Sequence, residues 1–205
     1  MSYDYEQTHE KIMQSAFELF KEKGFSKASI REICKEAGVT NGAFYAHFDS
    51  KEDLFNRLVK PVIDGMQELY DEENRVYMKI YSVNDINKVM KQTFSSNNML
   101  IHYLYEHKEV FKLLISAGSG TAYENFTAEL AEEEAANTMK FIEKCRPYLN
   151  NDEKISYGLI KQISNLVVSS VFDGLIADKT EDEVRHETEL ASEFCLAGIK
   201  HMMGI

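Results

Sequence analysis

The sequence predicts an all-α protein with an N-terminal three-helix domain that contains a helix-turn-helix, followed by a larger C-terminal helical domain. Apolar residues recur every three or four positions along most of the 205 residues, which is the period of an amphipathic helix. The chain has only two prolines and ten glycines, so few residues would interrupt its helices. We set the domain boundary between residues 50 and 51, which gives domains over 1–50 and 51–205.

The first predicted helix covers residues 8–23 and would support the helix-turn-helix. Its apolar stripe contains Ile12, Ala16 and Phe20, which lie on one face at helical spacing. Gly24 follows the stripe and can adopt the left-handed conformation that ends many helices. The pattern therefore predicts a supporting helix that stops at Gly24, just before the most informative segment of the chain.

Residues 29–48 are that segment, because they read as two short helices joined by a turn. Ser29 can cap the first helix, whose apolar face includes Ile33, and Gly38 can close it in a left-handed conformation. Thr40 can cap the second helix. This layout is that of a helix-turn-helix, in which the second helix enters the major groove of DNA.

The second short helix has one face suited to a groove and another suited to a core. Its first turn offers Asn41, Gly42 and Ala43, whose small side chains let the backbone approach base edges closely. Phe44 and Phe48 lie four residues apart, so both can pack inward and hold the helix on the core. We therefore expect the aromatic side of the helix to hold it on the core and the side with small residues to face the base edges.

Three polar residues near the end of this helix are predicted to contact phosphates. Tyr45 and His47 should point away from the core, with hydrogen-bonding tips that suit phosphate oxygens. Residues 50–53 resemble a capping box that opens the next helix, and its free N–H groups together with Lys51 favour an anion. A DNA phosphate is the natural candidate for that anion.

Further helices are predicted over the rest of the chain. A long helix spans 51–77, where Pro61 should kink it or reset its start. This helix is either a link that transmits movement or a simple structural linker. Cap and turn residues separate the remaining predicted helices, which cover 84–105, 107–117, 122–146, 152–177 and 180–203.

The net charge of −11 is distributed unevenly. Residues 1–60 hold 9 basic and 10 acidic groups, whereas residues 61–205 hold 14 and 24. The acidity thus belongs to the region that is not expected to touch nucleic acid, and phosphate affinity depends on local cations. The chain has no basic segment followed by an apolar one at its start, and no run of about 18 apolar residues, so we expect a cytoplasmic protein without a membrane partner.

The runs AFELFKEKGF, SIREIC and AGVTNGAFYAHFDSKEDLF occur together between about Ile12 and Leu58. This segment resembles the N-terminal signature of the TetR/AcrR transcriptional regulators. The resemblance implies that residues 1–50 bind double-stranded DNA and that residues 51–205 bind a ligand and dimerise. It implies a homodimeric repressor on a pseudo-palindromic operator, released by a small molecule. The DNA contacts that it implies are Ser29, Arg31, Thr40, Asn41, Gly42, Ala43, Tyr45, His47 and Lys51.

Two of these residues are assigned to base edges. The guanidinium of Arg31 can bridge the two acceptors of guanine, and the amide of Asn41 can pair with adenine. Cys34 stands where the family more often has alanine, and we interpret it as a small apolar packing residue.

The C-terminal region is expected to supply an effector pocket and a dimer surface. Aromatic residues are frequent in its middle helices, so we expect a small apolar or aromatic effector. Residues 155–176 are apolar on most of their surface, and with the last helix they could form a four-helix bundle with a second copy. The pocket candidates are Tyr103, Phe111, Tyr123 and Phe126. The dimer candidates are Leu159, Ile163, Leu166, Val167, Ser170, Gly174, Phe194, Ala197, Gly198 and Met202.

Two alternatives stay open on the sequence. One is a DNA-binding regulator without a small ligand, controlled by a protein partner. The other is a helical-bundle metalloenzyme, which needs Glu-x-x-His motifs on facing core helices, whereas the two such runs here, at Glu6 and Glu183, lie in polar stretches. His102 and Glu106 align only two ligands, so no metal, cofactor or catalytic residue is expected.

Overall fold

The computed structural model describes residues 3–77, 82–149 and 155–204, and within these ranges the chain forms nine α-helices and one short 3-10 helix. No strand occurs in the described ranges, which confirms the all-α prediction. The helices are α1 Tyr3–Lys23, α2 Ile30–Ala37, α3 Asn41–His47, α4 Lys51–Tyr77, α5 Val83–Glu106, α6 Lys108–Ala117, α7 Phe126–Cys145, α8 Tyr157–Ile176 and α9 Glu181–Met203, and the 3-10 helix is Arg146–Tyr148.

The observed helices follow the predicted ones closely, with three differences. Helix α1 starts at Tyr3, five residues before the predicted start. Helix α4 runs unbroken through Pro61, so the proline does not restart it. Helix α7 starts at Phe126 rather than 122, because the preceding residues form a turn in which Thr121 accepts a hydrogen bond from the Tyr123 N–H. The predicted start of the next helix, at 152, lies outside the described residues.

The chain divides into two compact units. Unit 1 contains the residues up to Gly65 together with His107–Asn125, and unit 2 contains Met66–Glu106 and the residues from Phe126 onward. This differs from the boundary expected between residues 50 and 51. The first half of α4 joins unit 1 because Phe55 is fully buried there, and α6 joins it by packing on α1.

An aromatic cluster holds unit 1 together around the turn between α1 and α2. The rings of Phe20, Phe25 and Phe55 have centroids 5.4–5.6 Å apart, and all three side chains are buried. Each such aromatic pair contributes about 0.5–1.5 kcal/mol beyond its area burial. The Phe25 N–H also donates to the Ala117 carbonyl at 3.1 Å, which ties the end of α6 to this turn.

Unit 2 combines an apolar core with one enclosed carboxylate. The apolar cluster draws on α5, α7, α8 and α9, and its members include Ile86, Ala135, Ile142, Ile160 and Ile199. The second half of α4 is joined to α7 by the Tyr70 hydroxyl, which donates to Glu134. Thr138 donates to the other oxygen of that carboxylate at 3.3 Å. Burial raises the pKa of Glu134 above its usual range.

Helix α8 is apolar enough to qualify as a membrane span by length and composition, with a mean hydropathy of 1.3 over its best 18-residue window. The sequence was expected to contain no run of about 18 apolar residues, whereas this helix meets the criterion through its mean hydropathy. In the structure α8 packs against both α7 and α9, and it buries Ile160, Phe172 and Leu175. These contacts are those of a core helix, which passes the same test.

Several predicted dimer residues instead pack inside unit 2. A Cβ added to Gly174 would lie 2.5 Å from Cγ2 of Val184, so α8 and α9 touch closely at this glycine. The Ser170 hydroxyl bonds the Val167 carbonyl at 2.7 Å and faces the Thr188 hydroxyl at 3.4 Å. These positions were expected at a dimer surface because sequence cannot show which side of an apolar helix meets its own chain. Ile163 and Met202 likewise pack against the apolar core.

The close contact at Gly174 leads to a stability prediction. Gly174→Ala forces its methyl group against Val184, which is fully buried, and overpacking of this kind costs about 1–3 kcal/mol. The gain in helix propensity, about 0.5–1 kcal/mol, offsets part of that cost. We expect a net loss of about 1 kcal/mol in the free energy of unfolding, measured by urea denaturation.

Gly158→Ala is the matched control in the same helix. No atom lies within 4 Å of its added Cβ, so we expect no loss of stability. An equal loss in both variants would contradict the packing explanation.

Candidate nucleic-acid interface

Helix α2 begins at a reciprocal cap that fixes its entry. Ser29 Oγ accepts a hydrogen bond from the Glu32 N–H at 3.2 Å, and the Glu32 carboxylate accepts from the Ser29 N–H at 3.0 Å and hydroxyl at 2.7 Å. The Ser29 hydroxyl and the Lys23 ammonium, at 3.0 Å, lower the pKa of Glu32 to about 2. The predicted cap is thereby confirmed, and its hydroxyl is committed to the protein.

The turn between α2 and α3 has the glycine conformation that the sequence predicted. Gly38 adopts φ +67°, and its N–H donates to the Lys35 carbonyl at 3.2 Å. The Val39 N–H donates to the Cys34 carbonyl at 2.9 Å, so the last carbonyls of α2 are satisfied. Cys34 is buried, and burial raises the pKa of its thiol, in agreement with a packing role.

Helix α3 is capped at one end and anchored by its aromatic side. Thr40 Oγ1 accepts from the Ala43 N–H at 3.1 Å. Phe44 and Phe48 are both buried, with ring centroids 5.6 Å apart. A helix of seven residues has little stability of its own, so this burial holds it in place.

The opposite face of α3 is open. Asn41 and Gly42 are exposed, Ala43 is half-buried, and Tyr45 has 58% of its surface exposed. On α2, Arg31 and Lys35 are exposed and lie four residues apart, and neither has an ion-pair partner among the described residues. The structure therefore exposes small side chains, an amide and a phenol on α3 and a guanidinium on α2.

His47 differs from its prediction, because the structure buries it. Only 8% of its surface is exposed, and its ring lies 4.0 Å from that of Tyr5 and 5.6 Å from that of His9. Residues 44, 47 and 48 share one helical face, so a face anchored by Phe44 and Phe48 carries His47 inward as well. Burial first, and then His9, lower the pKa of His47.

Lys51 also differs from its prediction. Its ammonium donates to the carbonyls of Phe25 at 2.6 Å and Ala28 at 2.8 Å, and it lies 4.3 Å from the centre of the Phe25 ring. Burial lowers the pKa of Lys51 below its usual range. Two of its three N–H donors are thus used inside the protein, where they tie the start of α4 to the residues before α2.

Three residues that the sequence did not single out belong to this site. Tyr5 and His9 cover the end of α3, as their contacts with His47 show. Lys35 adds an unpaired cation to α2. Spacing offered a signal for each of them, since Lys35 follows Arg31 by four residues, and Tyr5 and His9 continue the apolar stripe of α1 at intervals of three and four.

The residues expected to line one effector pocket are split between the two units. Phe111 is fully buried in unit 1, where the Tyr123 hydroxyl also donates to the Asn56 side chain at 2.5 Å. Tyr103 and Phe126 belong to unit 2, and the Phe126 ring meets that of Phe172 edge to face at 6.0 Å. Phe111 is therefore a core residue of the unit that carries the helix-turn-helix, and Tyr123 is half-buried in the same unit.

His102 on α5 lies beside two carboxylates. His102 Nδ1 lies 3.1 Å from Glu181, and its Nε2 lies 3.7 Å from Glu106. Glu181 is shared with Arg185. In the part of the chain that the structure describes, no group of three or more His, Cys, Asp or Glu side chains is arranged to hold a metal ion.

The capped pair α2 and α3, with an anchored inner face and an accessible outer one, defines a helix-turn-helix domain. The family of bacterial regulatory proteins named tetR matches residues 12–58. AcrR of Shigella flexneri, a helix-turn-helix transcriptional regulator, is 45% identical over 53 residues, which are 26% of this chain and 25% of that relative. The chain therefore spans about a quarter of the length of this relative.

Two longer similarities extend over the C-terminal helices. An uncharacterized helix-turn-helix transcriptional regulator of Haemophilus influenzae is 26% identical over 184 residues, which cover 87% of this chain and 82% of that protein. The crystal structure of a transcriptional regulator from Aquifex aeolicus VF5 superposes with a TM-score of 0.58 and 22% identity, over 92% of this chain and 99% of that one. At this identity the superposition establishes the shared fold.

Residues 12–58 thus match the tetR family of bacterial regulatory proteins, and the similar proteins named above are helix-turn-helix transcriptional regulators. The resemblance noted in the sequence is thereby confirmed. The relatives named above are transcriptional regulators rather than enzymes, so a metalloenzyme is no longer an alternative.

The inward position of Lys51 predicts a loss of stability on substitution. Lys51→Met keeps the apolar stem over Phe25 but removes both hydrogen bonds to carbonyls. We expect a loss of about 1 kcal/mol in the free energy of unfolding, since hydrogen bonds from a charged group are worth about 1.5–3 kcal/mol and this site is partly hydrated. Urea denaturation measures the difference.

Lys60→Met is the matched control on the same helix. Lys60 is exposed and forms a surface ion pair with Asp64 on the same helix, so its replacement should leave stability nearly unchanged. A stability of Lys51→Met equal to that of the control would show that the carbonyl contacts contribute nothing.

Proposed function

We propose that the chain is a repressor that binds double-stranded DNA through α3 and acts as a homodimer on a pseudo-palindromic operator. The single observation that supports this most directly is the accessible outer face of α3 on a rigid inner anchor. Asn41, Gly42 and Tyr45 are exposed, while Phe44 and Phe48 are buried. A recognition helix needs both properties, because its base-reading groups must be reachable and their orientation must be fixed.

Each residue of the outer face has a proposed role. Asn41 and Arg31 read base edges, since their amide and guanidinium match the acceptors and donors of adenine and guanine. Gly42 and Ala43 permit close approach of the backbone. Tyr45 binds phosphate through its hydroxyl, and Thr40 adds a phosphate contact before α3. Ser29 holds the start of α2 through its cap, because its N–H and hydroxyl already bond Glu32. His47 and Lys51 support these residues from inside.

Lys35, rather than Lys51, is the lysine that contacts a DNA phosphate in this proposal. It is exposed on α2, four residues after Arg31, and has no ion-pair partner among the described residues. Lys23 and Arg57, by contrast, are paired with Glu32 and Asp53. A few unpaired cations on a nearly neutral domain predict binding that depends strongly on local contacts and on salt.

A two-fold dimer is supported by apolar side chains that α8 and α9 leave exposed. Phe194 has 78% of its surface exposed, Leu190 54% and Leu166 50%. Leu159, Ala197 and Gly198 are exposed on the same two helices, and Val167 is half-buried. Exposed apolar surface of this extent on adjacent helices is typical of a surface that associates with another helix pair.

The proposed regulation assigns effector binding to unit 2. The effector is a small apolar or aromatic molecule, and Tyr103 and Phe126 remain its candidate contacts, since both are half-buried in that unit. Helix α4 is the element shared by both units, with its first half in unit 1 and its second half bonded through Tyr70 to α7. An effector that prefers one position of α4 would change DNA affinity by its difference in affinity for the two states.

The effector-independent alternative keeps the same DNA-binding residues. In that case a protein partner, rather than a small molecule, shifts α4. Both versions place the protein in the cytoplasm with the DNA, and neither needs a cofactor.

The proposed DNA contacts predict two kinds of loss. Asn41→Ala should reduce the preference for the selected site over variants at one base pair, because a bidentate side chain is worth about 1–3 kcal/mol of discrimination. Tyr45→Phe should weaken binding to all sequences alike, because a phosphate contact carries no base information. Selection of sites from random duplex DNA, followed by anisotropy titration at fixed salt, measures both effects.

Failure of the wild-type protein to enrich any two-fold-symmetric site would overturn the proposed function. If sites are enriched but the two variants lose affinity in the same way on every sequence, the assignment of Asn41 to a base edge is wrong.

The exposed apolar residues predict a dimer that charge would disrupt. Phe194→Glu should shift the protein towards monomer and weaken binding to a two-half-site operator more than to a single half-site, because burying an unpaired carboxylate is costly. Sedimentation velocity and titrations on both DNAs give the comparison.

Met99→Glu provides the control, since Met99 on α5 is also exposed, by 60%. It should remain dimeric. A dimer that tolerates Phe194→Glu as well would exclude this surface as the interface.

A further inference from the structure

The recognition helix α3 depends on neighbours for its orientation. It has seven residues, well below the roughly 12–15 that an isolated helix needs to be even marginally stable. Phe44 and Phe48 fix its inner face, and at its C-terminal end Phe48 and His47 are themselves in contact with side chains from α1. Small rotations matter here, since base-edge hydrogen bonds require well-defined geometry.

Two side chains from the start of α1 cover that end. The Tyr5 ring lies 4.0 Å from the His47 ring, and its hydroxyl is 3.4 Å from the Ala46 carbonyl. The His9 ring stacks on Phe48 at 4.8 Å. Tyr5 and His9 are four residues apart, so one face of α1 presents both rings to α3.

Both residues lie before the segment that matches the family, which begins at residue 12. The apolar stripe of α1 continues from Ile12 back to His9 and Tyr5 at helical spacing. The support of α3 by these two rings is therefore a feature of this chain that the family match does not contain.

We propose that Tyr5 and His9 are positioning residues that hold the C-terminal end of α3 for DNA reading, and that they do so only while His47 is neutral. The proposal rests on the proposed DNA-binding function. It assigns no DNA contact to Tyr5 or His9. DNA binding is then weaker in acid, because a proton on His47 disturbs the packing of the recognition helix and adds no charge to its DNA-facing side.

The surroundings of His47 make a proton costly there. Its Nδ1 is buried and has no hydrogen-bond partner among the described residues, so an added N–H would be unsatisfied. The groups that face the ring from α1 are Tyr5 and His9, which offer no negative charge. From α4 the nearest charge is Arg57, which lies 5.3 Å from the Phe48 ring and is paired with Asp53, and Asp53 also accepts from the Asp49 N–H.

The direction of the pH effect follows from the lowered pKa of His47. Because the folded state holds a proton less readily than the unfolded state, the packed arrangement keeps its full stability above the ordinary value of 6.5. It loses stability as the pH falls below that value. A histidine that contacted phosphate would behave in the opposite way, since protonation would strengthen its binding to DNA.

The test uses the full chain and the duplex selected by the wild-type protein, at fixed salt. Tyr5→Ala should weaken binding about three- to tenfold at pH 7.5, which is the change in affinity that corresponds to the loss of one aromatic pair. Tyr5→Phe keeps the ring and should bind within about twofold of wild type, because it loses only the long hydrogen bond to Ala46. Equal loss in the two variants would mean that the hydroxyl itself contacts DNA, which would overturn the positioning role.

The pH profile gives a second readout. Wild-type affinity should be constant from pH 7.5 to 6.5 and fall below pH 6.5, and His47→Phe, which keeps a ring that cannot be protonated, should remove that fall. If His47→Phe does not fold, as judged by circular dichroism, His9→Gln replaces it and should make the fall smaller, because without the neighbouring imidazole the pKa of His47 is lowered less. Wild-type affinity that rises in acid would overturn the proposal.

A measurement without DNA separates this inference from the proposed function. Hydrogen exchange should show that Tyr5→Ala loses protection at the amides of α3, including the Phe48 N–H that bonds Phe44, while α2 keeps its protection. This loss is expected even if the wild-type protein selects no DNA site. Unchanged exchange in α3 would reject the support of this helix by Tyr5 whatever the DNA result.

Discussion

The burial of Phe44 and Phe48 against the core of unit 1 is the constraint on which the candidate site depends. Helix α3 is too short to hold its own orientation, so the two rings decide which residues face solvent. With that face fixed inward, Asn41, Gly42 and Tyr45 become accessible and His47 becomes buried. The division of this helix into reading and supporting residues is thus a consequence of one packing contact.

Helix α4 connects this arrangement with the rest of the chain. At its first residue Lys51 binds two carbonyls in the turn before α2, and in its second half Tyr70 binds the enclosed carboxylate of α7. Polar side chains therefore hold α4 both at its start and in its second half. Buried polar groups of this kind specify a position more sharply than apolar packing does, because a displaced partner leaves an unsatisfied group behind. This property suits a helix that belongs to both units.

In unit 2 the two most apolar helices divide their surface between an internal and an external side. Gly174 and Ser170 lie on the internal side of α8, where they allow close approach to α9. Leu166 and Phe194 lie on the external side and remain exposed. Composition alone treats both sides as one apolar surface, which is why the expected dimer residues included positions that pack within the chain.

The sequence by itself determined the helical class, most helix limits, the caps at Ser29 and Thr40 and the left-handed turn at Gly38, because these follow from periodicity and from local hydrogen bonds within a few residues. It also determined the family that residues 12–58 match, since these residues form one continuous run. Only the tertiary structure decided that His47 and Lys51 point inward, that Phe111 and Tyr123 belong to unit 1, and that Tyr5 reaches α3. Those outcomes depend on which distant segments meet, and spacing along the chain does not specify the partner that a side chain finds across the fold.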